Sequence, residues 1–121
     1  MTQLVPPTTF QNIMVWIKPI EGTPGKYHVV TEPAVPVITD EDTVINYQIV
    51  DTDGLPIRFK GMSVKPKDNG QLSKESVSID GKLLTFSDAN TVKMMLNITL
   101  HFEHDDVEFS HDPQVSNDPQ L

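Results

Sequence analysis

The strongest pattern in the chain runs from Thr91 to Glu103, where Val92, Met94, Leu96, Ile98, Leu100 and Phe102 interleave with Lys93, Met95, Asn97, Thr99, His101 and Glu103. Successive side chains of a strand point to opposite faces, so this alternation predicts one long half-buried strand. Upstream, Ser76 to Ile79 and Lys82 to Phe86 flank Asp80-Gly81, a dipeptide that accepts the positive φ angles of a type I′ turn. The expected two-residue hairpin pairs Val77 with Leu84 and turns Val77, Ile79, Leu84 and Phe86 toward the core.

Thr43 to Val50 alternates in the same way through Ile45, Tyr47 and Ile49, then stops at Asp51-Thr52-Asp53-Gly54. Leu55 to Phe59 resumes as a strand, which Pro56 restricts to an edge or a strand start. Further strands are expected at Phe10 to Lys18, Lys26 to Thr31, Val35 to Thr39, Gly61 to Lys65 and Val107 to Ser110. Ten prolines and six glycines interrupt the chain too often for long helices, because a proline inside a helix costs about 3 kcal/mol. About seven to nine short strands with turns between them predict an all-β fold, an antiparallel β-sandwich of immunoglobulin-like or jelly-roll Greek-key type. The length of 121 residues suits a single domain over 1–121. Pro-rich arms are expected at 1–9 and 112–121, and an exposed loop from Pro66 to Ser76.

Composition narrows the partners more than it narrows the fold. Seventeen acids against nine basic residues give a net charge of −8, and beyond Lys93 acids continue while Lys and Arg do not. Repulsion from phosphate opposes binding to nucleic acid or to an anionic membrane surface. Cysteine is absent, which removes disulfides, thiolate metal sites and thiol nucleophiles. The amino terminus lacks the basic and apolar regions of a signal peptide, and no apolar run is long enough to span a bilayer, so a soluble cytoplasmic protein is expected.

Candidate chemistry is concentrated near the C-terminus, where His101, His104, Asp105, Asp106 and His111 could supply ligands to a divalent metal. On a continuing strand His101 and His104 face opposite sides, so they converge only if the strand ends near Glu103. A solvated acidic turn is the competing reading. Asp51-Thr52-Asp53-Gly54 has the look of a calcium-loop fragment, but the twelfth loop position falls on Met62, and an ordinary turn explains it. Asp40-Glu41-Asp42 reads as a solvated strand edge. There is no Gly-x-Ser-x-Gly elbow and no glycine-rich phosphate loop, and the expectation is a protein that is not an enzyme and carries no cofactor.

Trp16, the single tryptophan, reads most simply as a core aromatic. Met14 and Trp16 nevertheless alternate with Ile13, Val15 and Ile17, so both faces of that strand are apolar. Either the strand is buried on both sides, or Met14 and Trp16 belong to a subunit interface, where Trp and Met are enriched.

Several segments taken together, Val15-Trp16-Ile17-Lys18-Pro19, Glu41 to Tyr47, Gly54 to Gly61, Asp112-Pro113-Gln114 and Asn117-Asp118-Pro119, resemble the DP-EP family of small bacterial proteins. More distantly they resemble inclusion-body proteins of the AidA/PixA type. The resemblance implies a bacterial β-sandwich with a remote link to ordered cytoplasmic assemblies, and it carries over no active site. The expected function is a non-enzymatic structural or protein-interaction module that self-associates through an apolar face or its arms. The alternative is a small-ligand or divalent-metal module built on the His/Asp-rich loop.

Overall fold

The computed structural model describes residue 5 and residues 7–120. They form ten strands: β1 (Phe10–Pro19), β2 (Tyr27–Glu32), β3 (Val37–Ile38), β4 (Thr43–Asp51), β5 (Arg58–Lys65), β6 (Ser76–Val77), β7 (Leu83–Asp88), β8 (Met94–His104), β9 (Val107–His111) and β10 (Gln114–Asn117). No helix occurs among the described residues, and so none is long and apolar enough to cross a membrane.

The strands assemble into two five-stranded sheets. One has the order β2-β1-β4-β7-β6, and the other β3-β10-β8-β5 with β9 also on β8. The alternation in β8 sends Leu96, Ile98, Leu100 and Phe102 into the core, while β1 contributes Ile13, Val15 and Ile17 and β4 contributes Ile45, Tyr47 and Ile49. Residues from both sheets join in one cluster, so each sheet covers the apolar face of the other.

The ten strands exceed the expected seven to nine, since β10 falls in the segment expected as an arm; β3 and β6, both expected as strands, are only two residues long. The sheets are also mixed rather than antiparallel: β1 runs parallel to β4, and β10 parallel to β3. A parallel pair needs a crossover connection, and the segment between β1 and β4 provides it, with β2 returning beside β1 and β3 joining the other sheet.

Two local expectations are corrected. Val77 does pair with Leu84, but Ile79 is 99% exposed instead of buried. Gly81 has φ +74° while Asp80 is not among the positive-φ residues, and Gly81 N donates to Ser78 O at 2.9 Å. The turn is therefore wider than the two-residue type I′ form, and Ile79 lies at its tip. The second correction concerns the strands expected at Leu55 to Phe59 and Gly61 to Lys65. Arg58 to Lys65 forms one strand, with an irregularity between Phe59 and Gly61 where it pairs with β8.

The segment expected as a C-terminal arm is docked. Leu100 to His104 pairs with β9, and Met94 to Asn97 pairs with β10. The break between β9 and β10 falls at Asp112-Pro113, where the Pro113 carbonyl accepts a hydrogen bond from Ile98 N at 2.8 Å. Val115 is fully buried in the shared core. Of the N-terminal arm expected over 1–9, residues 1–4 and 6 lie outside the described ones, and the Thr9 carbonyl accepts from Val44 N at 2.8 Å.

Candidate functional site

Strand periodicity decides the fate of the histidine cluster. β8 does not stop near Glu103 but runs through His104, so His101 stays on the face opposite Phe102 and His104. His101 Nε2 is 2.7 Å from Ser63 Oγ on the outward side. His104 faces the other way, with Nδ1 within hydrogen-bond distance of the Tyr27 hydroxyl at 2.5 Å and Nε2 3.4 Å from Asp105 Oδ2. Its ring meets Tyr27 edge-on at 5.8 Å, and Tyr27 stacks on Phe109, which stacks on Phe102. His104 is thereby part of an aromatic row that joins β2 to β8 and β9.

His111 lies opposite Leu100, four residues before His104 on β8. Burial lowers its imidazole pKa, Asp112 partly opposes this, and His28 adds to the lowering. Asp105, at φ +47°, and Asp106 form the exposed hairpin turn between β8 and β9. Among the described residues no group of three or more His, Cys, Asp or Glu side chains is placed to hold a metal ion. The five residues expected as ligands are distributed over two faces and a turn. Val29, Thr31, His111, Asp112 and Gln114 border an open cleft of about 420 Å³ between β2 and the β9–β10 junction.

The acidic turns behave as turns. Asp53 N donates to Asp51 Oδ1 at 2.9 Å and Asp53 adopts φ +57°, as expected for an Asp-stabilised bend. Asp40, Glu41 and Asp42 are exposed ahead of β4.

Met14 and Trp16 have their places on the outward face of β1. Ile13, Val15 and Ile17 take the core side, leaving Met14 44% exposed and Trp16 half-buried, so Trp16 is not the core aromatic of the simplest reading. Phe10 extends the same outward row, Val30 of β2 stands opposite Trp16, and Gln48 of β4 stands opposite Met14. Between them Asn46 Nδ2 donates to Asn12 Oδ1 at 2.9 Å, and the Thr85 hydroxyl donates to Asn46 Oδ1. Across β1, β4 and β7 the outward residues Asn12, Met14, Trp16, Val44, Asn46, Gln48, Leu83, Thr85 and Ser87 carry no charge, while exposed Lys18 ends the β1 row, Glu32 of β2 pairs with Met14 and Asp51 of β4 pairs with Trp16. In a chain of net charge −8, the uncharged patch is thus bordered by one cation and two carboxylates.

One polar cluster has no signature in the sequence. Asp88, at the end of β7, is fully buried with Asn90 and Asn117. Asp88 Oδ1 accepts from Asn90 N at 3.0 Å and from Asn117 Nδ2 at 2.9 Å. Burial raises the Asp88 pKa, and the hydrogen bonds from Asn117 and Asn90 partly offset that. Asn90 Nδ2 donates to the carbonyls of Ile38 at 3.0 Å and Asp40 at 3.2 Å. A Ser-Asp-Ala-Asn run reads as a polar loop in one dimension; its burial follows from β3 and β10 closing over it.

No curated protein matches the chain. The family model described as the DP-EP family matches residues 11–119, from the second residue of β1 to two residues beyond β10. The outward Trp16, the docked Gln114–Asn117 strand and the buried Asp88 cluster all lie within that span, and the chain belongs to the DP-EP family.

Proposed function

We propose that this protein is a non-enzymatic structural or interaction module that self-associates through the outward face of β1, β4 and β7, with a second copy of the chain as its occupant. The observation that carries this reading is the uncharged patch of Asn12, Met14 and Trp16 on β1 with Asn46, Gln48 and Thr85 beside it. Two molecules of net charge −8 repel each other over most surfaces, and a face whose β1–β4–β7 centre is uncharged, with Lys18, Glu32 and Asp51 at its margin, lets like copies approach. Depletion of charge with Trp and Met at the centre is also the composition of interface cores. The Asn12, Asn46 and Thr85 hydrogen bonds within the face satisfy its polar groups before contact, which lowers the desolvation cost of covering them. The distant resemblance to inclusion-body proteins of the AidA/PixA type agrees with ordered self-association in the cytoplasm of a bacterium. The acid excess makes nucleic acid and anionic membranes poor partners.

The same proposal extends to the fold type. β4, β7 and β6 lie in the order of strands B, E and D of an immunoglobulin-like sandwich, and β5, β8 and β9–β10 in the order of C, F and G. That order supports the immunoglobulin-like alternative over the jelly roll.

Light scattering after size exclusion, over a concentration series of the full chain, tests the functional reading. A dimer or larger assembly that Trp16→Glu converts to a folded monomer is the expected result. A strict monomer at every concentration overturns it.

A further inference from the structure

The outer edge of β2, an end strand of its sheet, has no neighbouring strand. Ile20 N donates to Lys26 O at 2.9 Å, which fixes the phase of the β1–β2 ladder. Opposed residues of antiparallel strands alternate between hydrogen-bonded and non-bonded pairs, so His28, Val30 and Glu32 bond to Lys18, Trp16 and Met14. The N–H and C=O groups of Tyr27, Val29 and Thr31 therefore point away from β1. The cleft of about 420 Å³ runs beside Val29, Val30 and Thr31 and leaves this edge accessible. The other edges are short, covered or acidic. β3 and β6 have two residues each. On β5, Phe59 N donates to Gly81 O and Met62 N to Glu75 Oε2, both at 2.8 Å. β9 is bordered by Asp105, Asp106, Glu108 and Asp112, and such charges keep like edges apart. Among the described strands, β2 is left with a six-residue edge that neither the chain nor a run of acids protects.

We propose that β2 pairs edge to edge with β2 of a second copy, antiparallel about a two-fold axis at Val29. In that register Val29 meets Val29 and Tyr27 meets Thr31, so all three open residues find partners. Lys26 of each copy then stands opposite Glu32 of the other, and opposite charges facing across a strand pair stabilise it. Both side chains are exposed, and among the described residues neither has a salt-bridge partner in its own chain. An axis moved by one residue, to Val30, would set Tyr27 against Pro33, which has no N–H to give, and Lys26 against Ala34. The pairing merges two five-stranded sheets into one of ten strands. An edge of this length is a small contact, so it joins copies already held through the face of β1, β4 and β7 and rests on that reading. Face and edge together carry assembly beyond the dimer.

Light scattering after size exclusion on the full chain reads both contacts. The wild type should exceed a dimer. Lys26→Glu and Glu32→Lys should each stop at the dimer, with association between dimers weakened roughly tenfold or more. An equal mixture of the two variants should recover the larger assembly, because each supplies the charge the other lacks. Lys26 and Glu32 lie at opposite ends of β2, so recovery on mixing reports contact between copies. A wild type that stays a dimer, dissociated by Trp16→Glu, overturns the edge pairing and leaves the face reading standing. Larger assemblies that ignore both charge reversals, or single variants that mixing does not rescue, also overturn it. A dimer that survives Trp16→Glu and is dissociated by Lys26→Glu supports the edge pairing and removes the face reading. A strict monomer removes both.

Discussion

Asn117 on β10 donates from Nδ2 to Asp88 Oδ1 on β7 at 2.9 Å, a hydrogen bond between the two sheets made inside the core and out of reach of water. Removing one partner of a buried charged hydrogen bond leaves the other desolvated. Asn117→Ala is therefore expected to destabilise the fold by about 2–4 kcal/mol. Urea unfolding checks this, and a loss below about 1 kcal/mol, the scale of an ordinary surface bond, would contradict it.

The docking of Gln114–Asn117 changes what a C-terminal truncation can reveal. Cutting after Ser110 removes β10, with Val115 from the core and Pro113 from its bond to Ile98 N. The shortened chain should fail to give a cooperative melt, rather than dissociate as a folded monomer. The milder Val115→Ala should cost about 2–3 kcal/mol, from lost apolar burial and the cavity left behind. A truncated chain that melts like the full one would show that β10 is an appendage.

Burial holds the His111 pKa below the usual histidine value, aided by His28 and opposed by Asp112. The neutral ring is thus favoured in the folded state. The contribution of His111 to stability is fully present above the unfolded-state pKa and is lost as pH falls through the lower folded-state value. NMR titration of the ring protons should give a midpoint below 6.5, its ordinary value, and His28→Gln should raise that midpoint. An unchanged midpoint in the variant would remove His28 from the account.

Because Trp16 is the only tryptophan and is half-buried on the outward face, its fluorescence reports contact at that face alone. Emission should shift to shorter wavelength as protein concentration rises, and Met14→Lys should abolish the shift. A spectrum independent of concentration would place any contact between copies elsewhere.

Gly81 adopts φ +74°, and a Cβ there would lie 2.4 Å from the Arg58 Cβ, whereas Gly54 at φ +80° has open space around it. Gly54→Ala is expected to cost about 1 kcal/mol from left-handed backbone strain. Gly81→Ala adds a collision and should cost about 2–4 kcal/mol. Comparable midpoints for the two variants in denaturant would show that the Ser78–Lys82 turn moves away from Arg58.

Alternation read along β4 and β8 grouped the core residues of those strands on one face, because which side of a strand a residue faces is a local property of extended backbone. The same rule separated His101 from His104, and only the end of β8 was left to be found. The outcome at Trp16 was narrower: two apolar faces were legible, and which one turned outward was not, since that depends on the opposing sheet.

The sequence by itself determined the all-β class, the alternation along β4 and β8 and the acid excess, each a matter of local pattern or composition. Tertiary structure decided what depends on partners far along the chain. β1 runs beside β4 because β2 and β3 fill the crossover between them. Gln114–Asn117 is a strand because the edge of β8 has open hydrogen-bonding groups beyond β9. Asp88 and Asn117, 29 residues apart, become one buried cluster only when the two sheets close, since burial belongs to the packed pair of sheets and not to either segment.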